Sequence, residues 1–170
     1  MRRVLFVCHG NICRSTMAQF VFEDLVRRIG REGEFVVDSA ATSREEIGNP
    51  PHPGTVRRLR QAGIAVGSHR ARQLRRDEYG SWDLIVYMDG ENEWGLARIL
   101  GEAPGGGIVD PEGKCAKLLS FVPADSALTP PARNRRGIVR DVADPWYTHN
   151  FDDTYRDVLA GCRGLLSTLS

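Results

Sequence analysis

Short apolar runs alternate along the chain with segments in which apolar residues recur at helical spacing. Runs at 4–7, 34–37 and 84–88 predict strands, and the third run is apolar on both faces, as a strand buried in a parallel sheet requires. A weaker run at 115–121 predicts a fourth strand, and turn chemistry is expected directly after the second strand.

Four segments have the helical period. The first begins at Ser15 and stops at Gly30, two more cover about 55–62 and 91–100, and the last segment is the clearest. Its apolar face consists of Phe151, Tyr155, Val158, Leu159, Cys162, Leu165, Leu166 and Leu169. Alternating strands and helices predict an α/β protein with a parallel sheet and right-handed crossovers, in which ligands bind at the carboxyl ends of the strands.

Composition and charge narrow the class of protein. The 170 residues fall within the usual size of one domain, so we expect a single domain over 1–170. The content of 41% hydrophobic and 26% charged residues is typical of a soluble globular protein. A formal net charge of +1 argues against nucleic acid or an anionic membrane as the main partner.

No apolar run approaches the roughly 20 residues that a membrane span needs, so no membrane insertion is expected. The apolar stretch after Arg2 and Arg3 is too short for a signal peptide, and a cytoplasmic location is expected. Stretches at about 103–113 and 123–140, rich in glycine and in proline with arginine respectively, predict solvated, mobile surface insertions.

The four cysteines are Cys8, Cys13, Cys115 and Cys162. They form no disulfide framework in a chain of this length, and neither Cys-x-x-Cys nor zinc-finger spacing occurs, so no metal and no other cofactor is expected. Each cysteine is therefore either core filler or a reactive thiol. Cys162 lies on an apolar helix face, which favours core filler.

Residues 8–15 read Cys-His-Gly-Asn-Ile-Cys-Arg-Ser, between the first strand and the first helix. A loop in this position aims backbone N–H groups at one point beside a helix N-terminus, and a phosphate dianion fits there. Gly10 permits backbone geometry that a side chain would forbid, and Arg14 can bind two phosphate oxygens. The positive field favours Cys8 as a thiolate nucleophile, and Ser15 can cap the helix or donate to the Cys8 sulfur. The remaining loop residues expected to support the phosphate are His9, Asn11, Ile12 and Cys13.

A thiolate that attacks phosphorus needs a proton donor for the leaving alkoxide, and Asp144 is the candidate. Pro145 stiffens its loop, and Trp146 and Tyr147 can wall a cleft that accepts a flat ring. Asp-Pro is also a common turn, and Asp110-Pro111 is a second copy, so spacing alone leaves a structural turn open for Asp144.

Several further segments occur in a fixed order around these residues. They are Val37-Asp38-Ser39-Ala40-Ala41-Thr42-Ser43, Ile47-Gly48-Asn49-Pro50-Pro51, Ser68-His69 with Ala71-Arg72-Gln73, and Leu84-Ile85-Val86-Tyr87-Met88-Asp89. Together with the loop that follows the first strand, and with Asp144-Pro145 before a terminal helix, they cover most of the chain. In this combination the chain resembles the low-molecular-weight protein tyrosine phosphatases.

The resemblance implies a three-layer, flavodoxin-like fold with a four-stranded parallel sheet flanked by helices. It also implies hydrolysis of phosphotyrosine and other aryl phosphate monoesters through a phosphocysteine, with no metal. Cys8 would be the nucleophile, Arg14 the phosphate clamp and Asp144 the general acid and base. The expected partner is a tyrosine-phosphorylated protein, and the expected state is a monomer or weak homodimer. A buried polar network would join Asn11, Ser15, Ser39 and His69.

The chain departs from the family at three places. Arg44-Glu45-Glu46 stands where an aromatic residue is frequent, and Glu45 in the substrate cleft would repel acidic flanks. Trp146 replaces a more usual tyrosine but keeps a flat wall, and the 123–140 stretch is longer than its family counterpart. For His69, the alternative to the polar network is an exposed loop position.

Three other functions are compared with the sequence. Arsenate reductases share this fold but need further cysteines near one another, and 84–97 contains none. Phosphoarginine phosphatases are relatives that typically carry threonine where Ile12 stands, and an apolar Ile12 suits an aromatic ring. A protein that only binds phosphate would be expected to lose Cys8 or Asp144, and both are present. Cys13 is either a small loop residue or the thiol that captures oxidised Cys8 as a disulfide.

Overall fold

Strands and helices alternate along the chain, as the hydrophobic pattern predicts. The structure is a computed structural model that describes residues 1–170. The strands are β1 (Arg2–Cys8), β2 (Phe35–Ala41), β3 (Leu84–Tyr87) and β4 (Cys115–Lys117). The helices are α1 (Arg14–Arg28), α2 (Pro53–Gln61), α3 (Gly90–Leu100), α4 (Pro145–Thr148) and α5 (Phe151–Thr168). Short 3-10 turns occupy Glu32–Glu34, Arg76–Ser81 and Leu118–Phe121.

The four strands form one sheet in the order β2-β1-β3-β4, and every neighbouring pair is parallel. The predicted four-stranded parallel sheet is confirmed. Because β1 is an inner strand, its last residue, Cys8, lies at the middle of the carboxyl edge, where it pairs with Ala41 of β2. Ligands of open parallel sheets bind at this edge.

Alternate side chains of β1 enter two separate cores. Val4 and Phe6 belong to the larger apolar cluster, which includes residues of α1 and α5. Leu5 and Val7 belong to the smaller cluster, together with residues of α3. The two-residue period of a strand therefore divides the molecule into three layers, with helices on both faces of the sheet. None of these helices combines the length and the apolar character that crossing a bilayer requires.

The second strand is longer than predicted. It continues through Ser39 to Ala41, where the sequence predicts a turn, and its last three side chains are buried. Residue-by-residue pairing with β1 holds this stretch extended. A small polar side chain, that of Ser39, is thereby placed beside the loop that follows β1.

The fourth strand is shorter than predicted. It ends at Lys117, and the rest of the apolar run forms the 3-10 turn Leu118–Phe121. This turn packs against α5 at two glycines. A Cβ atom on Gly161 would lie 2.5 Å from Leu118 Cγ, and one on Gly164 would lie 2.1 Å from the Phe121 carbonyl oxygen. Close contact with α5 thus replaces further pairing in the sheet.

The 123–140 stretch is not wholly solvated, contrary to expectation. Leu128 and Ala132 are buried, and both terminal nitrogens of Arg140 donate to the Asp157 carboxylate at 2.7 Å. Asp157 lies on α5 and its side chain is fully buried. This ion pair fixes the chain directly ahead of residue Asp144.

The 103–113 stretch, expected to be a surface insertion, is held in place by Asp110. This carboxylate accepts hydrogen bonds from Tyr79 Oη at 2.5 Å and from the backbone N–H groups of Lys114 and Cys115. Burial opposes ionisation, but these hydrogen bonds hold the pKa of Asp110 below its ordinary value. Of the two Asp-Pro pairs in the chain, Asp110-Pro111 is therefore the one with a structural role.

Candidate active site

Cys8 lies where β1 ends and the loop toward α1 begins, and its side chain is almost fully buried. The backbone N–H groups of Asn11 and Ser15 point at Cys8 Sγ from 3.3 and 3.4 Å. The Ser15 hydroxyl oxygen lies 3.1 Å from the same sulfur. Two backbone N–H groups and one hydroxyl thus surround a single sulfur atom.

Asn11 is the loop residue with a left-handed backbone conformation. Its φ is 59°, in the left-handed region that asparagine tolerates better than most residues, whereas Gly10 is not among the positive-φ residues. The expectation that Gly10 supplies backbone freedom is wrong. Gly10 instead leaves room for Glu46, whose Cγ would lie 3.3 Å from a Cβ atom at this position.

The Asn11 side chain forms four hydrogen bonds. Its Nδ2 donates to Ser15 Oγ at 2.8 Å and to Ser39 Oγ at 2.9 Å. Its Oδ1 accepts from the Arg72 backbone N–H at 3.2 Å and lies 2.9 Å from His69 Nε2. His69 must therefore carry its proton on Nε2, and burial lowers its pKa, which keeps the ring neutral at pH 7. These contacts join the side chains in which the sequence predicts a network and hold Asn11 in its left-handed conformation.

Arg14, at the start of α1, is 3% exposed and faces two carboxylates. Its Nη1 donates to Asp89 Oδ2 at 2.6 Å, and its Nη2 donates to Asp144 Oδ2 at 2.9 Å. Burial opposes the charge of Arg14, but the negative charges of Cys8, Asp89 and Asp144 raise its pKa above the ordinary value. The guanidinium is thus held as a fixed cation in the same site as Cys8.

Sequence reasoning does not assign a role to Asp89. It follows β3 at the carboxyl edge of the sheet and caps α3, where Asp89 Oδ1 accepts from the Asn92 N–H at 2.7 Å. An acidic residue directly after an inner strand is the sequence signal that locates it.

Asp144 caps the short helix α4, which the sequence does not predict. Its Oδ1 accepts from the Trp146 N–H at 3.0 Å, so Oδ2 remains for Arg14. The structure brings Asp144 and Cys8 to one cleft, although the two are distant in sequence. Asp144 is therefore both a turn residue and a site residue.

The cleft above Cys8 has a volume of about 220 Å³. Trp146 and Tyr147, both largely exposed, stand on its rim as the sequence predicts. The loop residues lining the cleft are Cys8, His9, Gly10, Ile12, Cys13 and Arg14. The acidic residues lining it are Glu45, Glu46, Glu91 and Asp144, of which Glu46 and Glu91 are not predicted as site residues from the sequence. His9 points its Nε2 toward Glu45 Oε2 at 3.0 Å rather than into the loop.

Cys13 is buried at the N-terminal end of α1. Burial, and then the negative charges of Cys8 and Asp144, raise the pKa of Cys13 to about 12. The Cys13 thiol is therefore protonated at neutral pH, unlike a primary nucleophile.

A buried arginine, a thiol that faces two backbone N–H groups and an aspartate thus meet at the carboxyl edge of a parallel sheet, the edge at which α/β proteins of this architecture bind their ligands. The family model for low molecular weight phosphotyrosine protein phosphatases matches residues 3–170. The low molecular weight protein-tyrosine-phosphatase YfkJ of Bacillus subtilis is 38% identical over 99% of this chain and 96% of its own length.

The low molecular weight phosphotyrosine protein phosphatase of Schizosaccharomyces pombe is 33% identical over 99% of this chain and 97% of its own length. The crystal structure of YfkJ superposes with a TM-score of 0.83 and covers 99% of this chain and 94% of YfkJ. The chain belongs to the low molecular weight phosphotyrosine protein phosphatase family and is a phosphoric monoester hydrolase.

Proposed function

We propose that this phosphatase hydrolyses phosphotyrosine in proteins through a phosphocysteine on Cys8. The observation that carries the proposal is the position of Cys8 Sγ, which faces N–H donors from its own loop in the cleft that Arg14 also lines. A phosphate dianion bound over Cys8 would meet the Arg14 fork and the helix N-terminus of α1. Both would stabilise the charge of the transferring phosphoryl group.

In the first step the Cys8 thiolate forms a bond to phosphorus, and the bond from phosphorus to the tyrosyl oxygen breaks. Asp144 gives its proton to that oxygen, so tyrosine leaves as a neutral phenol. In the second step Asp144 takes a proton from water, the water oxygen attacks phosphorus, and the sulfur leaves as a thiolate stabilised by the Ser15 hydroxyl. Inorganic phosphate is released, and the enzyme is regenerated.

The ion pair between Arg14 and Asp144 supports this assignment. A phosphate dianion on Arg14 replaces Asp144 as the partner of the guanidinium, and its negative charge favours a protonated Asp144 carboxyl nearby. Binding of substrate would thereby convert Asp144 into an acid at the moment when an acid is needed.

The lining of the cleft favours aryl phosphates. Ile12, within the loop after β1, is apolar and nearly buried, and Trp146 and Tyr147 present flat rings at the opening. A phosphoarginine guanidinium would find no hydroxyl partner at Ile12, and a phosphoserine side chain would leave the aromatic walls unused. Phosphotyrosine places a ring between them.

The test compares phosphotyrosine, phosphoserine, phosphoarginine and arsenate as substrates side by side, with Cys8→Ser as control. The expected result is metal-independent release of phosphate from phosphotyrosine, abolished in Cys8→Ser and in Arg14→Ala. Full activity in Cys8→Ser, or loss of activity with a chelator, would contradict the mechanism.

The negative charge at the rim of the cleft predicts which phosphotyrosine sequences the enzyme prefers. Glu45, Glu46 and Glu91 place three carboxylates around the opening. Like charges repel, so acidic residues next to phosphotyrosine would weaken binding and basic residues would strengthen it. The expected kcat/KM is severalfold higher for peptides with lysine flanks than for matched peptides with glutamate flanks. Glu91→Lys should reduce this ratio, and Glu32→Lys, at the amino-terminal edge of the sheet, should not.

A further inference from the structure

The His52 ring lies against two aromatic side chains from the C-terminal part of the chain. It is stacked on Phe151, with ring centroids 5.2 Å apart and 22° between the planes. It meets the Trp146 indole edge-to-face, at 6.5 Å and 83°. Both centroid distances lie within the range in which aromatic rings attract one another. His52 thereby joins the segment ahead of α2 to the cleft wall beside Asp144.

The His52 ring is itself held in one orientation. His52 caps α2, and its Nδ1 accepts a hydrogen bond from the Gly54 N–H at 3.0 Å, so the ring proton is on Nε2. Phe151 also lies over Gly54, where a Cβ atom would be 2.3 Å from the Phe151 ring, so a glycine is needed for this close approach. The cap and the stacked ring together restrict the rotamer of His52.

The backbone of His52 is attached to the loop that follows β1. The His52 N–H donates to the Ile12 carbonyl oxygen at 2.7 Å. Ile12 and Trp146 both line the cleft, and the proposed preference for aryl phosphates depends on both. His52 therefore connects these two walls, one through its backbone and the other through its ring.

The Trp146 side chain needs such a contact to keep one orientation. Its backbone is fixed, because the Trp146 N–H donates to Asp144 Oδ1 at 3.0 Å. Its indole, however, is 56% exposed. Exposed side chains change rotamer within nanoseconds unless a neighbour packs against them. The aromatic neighbour that packs against this indole is His52.

We propose that His52 is a positioning residue that holds the Trp146 indole as a wall of the cleft and thereby raises the selectivity for aryl phosphates. This inference rests on the proposed function and assigns a residue to its substrate preference. His52 does not line the cleft, so it acts through Trp146 rather than on the substrate. An indole that is already held in place loses no rotamer freedom when the phosphotyrosyl ring packs against it, so the ring binds more tightly.

Two substitutions separate the ring of His52 from its capping role. His52→Asn removes the ring but keeps a cap for α2, since asparagine is a favoured N-cap residue. His52→Phe keeps an aromatic ring but removes the cap. We expect kcat/KM for phosphotyrosine to fall by about threefold to tenfold in His52→Asn, the value of one aromatic pair, and to stay near wild type in His52→Phe. Loss of the cap should lower the melting temperature of His52→Phe, so this variant shows that reduced stability alone leaves kcat/KM unchanged.

Two further measurements distinguish the positioning of Trp146 from damage to the phosphate site. Inorganic phosphate has no ring, so its inhibition constant should be unchanged in His52→Asn. Trp82 is buried, so in a Trp94→Phe background Trp146 is the exposed tryptophan, and its fluorescence anisotropy should decay faster once the His52 ring is removed. His149→Asn is the matched control, because it makes the same substitution at an exposed residue directly after α4 whose φ of 55° asparagine tolerates. This control should leave kcat/KM, phosphate inhibition and anisotropy as in wild type.

A double-mutant cycle completes the test. Because His52 acts through Trp146, His52→Asn should cause no further loss of kcat/KM in a Trp146→Ala background. If His52→Asn does not fold, His52→Gln, which also lacks a ring, takes its place. Equal kcat/KM for wild type and the ringless variant, or an equal loss in both backgrounds, would overturn the inference. Full activity of Cys8→Ser would overturn the proposed function instead.

Discussion

Arg14 and Asp144 are joined by an ion pair of 2.9 Å although 130 residues separate them in the sequence. The pair links the phosphate loop after β1 to the segment before α5. It also places Asp144, the proposed general acid, against the Arg14 guanidinium that the substrate phosphate would bind. In the proposed mechanism, phosphate binding and proton donation are therefore coupled through one guanidinium.

Substitution of Asp144 tests that coupling. Asp144→Ala should slow phenyl phosphate strongly, by about 100-fold or more, but slow p-nitrophenyl phosphate much less, because a better leaving group needs less protonation. Steady-state kcat for the two substrates is the measurement. Asp110→Ala removes the other Asp-Pro aspartate and should change both rates by the same small factor. Equal losses on both substrates in Asp144→Ala would make Asp144 a turn residue alone.

Asp89 is expected to hold Arg14 ready for phosphate. Asp89→Asn keeps the shape but removes the charge that anchors Arg14 Nη1 at 2.6 Å. The inhibition constant for inorganic phosphate should rise by roughly tenfold, since a charge-assisted hydrogen bond that orients the guanidinium is lost. Asp83→Asn, at the opposite end of β3, is the matched control and should leave phosphate binding unchanged. Unchanged phosphate inhibition in Asp89→Asn would show that Arg14 is positioned by its other contacts.

Asp157 is predicted to stabilise the segment ahead of Asp144. Its fully buried carboxylate accepts from Arg140 and from the Ala143 N–H at 3.2 Å. Asp157→Asn leaves Arg140 without its carboxylate partner and should lower the free energy of unfolding by about 3 kcal/mol. Urea unfolding measures this loss. Asp152→Asn, an exposed residue of the same helix paired with Arg58, should cost less than about 1 kcal/mol. Similar losses of stability in both variants would show that the buried ion pair of Asp157 stabilises the protein no more than the exposed pair of Asp152.

The hydrophobic pattern correctly predicts the features of the fold that depend on residues close together in the sequence. β1 and β3 are continuous apolar runs that are buried, and α1 and α5 have a helical period that matches their burial, so the type of all four is correctly predicted. The lengths of β2 and β4 are not, because pairing with β1 extends one and contact with α5 at Gly161 shortens the other. Such long-range contacts leave no local signal.

For the site as well, residues close together in the sequence are predicted and residues that the fold brings together are missed. The loop from Cys8 to Arg14 is contiguous, so its chemistry is visible in the sequence. Asp89 follows β3 and Glu91 lies in α3. Only the pairing of β3 with β1 brings Asp89 to Arg14 and Glu91 to the same cleft. A rule that acidic residues after an inner strand meet at one sheet edge would have found Asp89.

The last prediction concerns Cys13, five positions after Cys8 in the same loop. Peroxide converts a thiolate to a sulfenic acid, and the neighbouring thiol can then form a disulfide with loss of water. Because the pKa of Cys13 is raised to about 12, mainly by burial, little Cys13 thiolate exists at pH 7, and its fraction grows with pH. Capture should therefore be faster at pH 8 than at pH 6, as followed by mass spectrometry after a peroxide pulse. Wild type should regain activity with a thiol reductant, and Cys13→Ser should regain far less. Cys115→Ser, in β4 and outside the loop, is the matched control and should behave as wild type. Equal recovery of wild type and Cys13→Ser would leave Cys13 as a small residue that fills the loop.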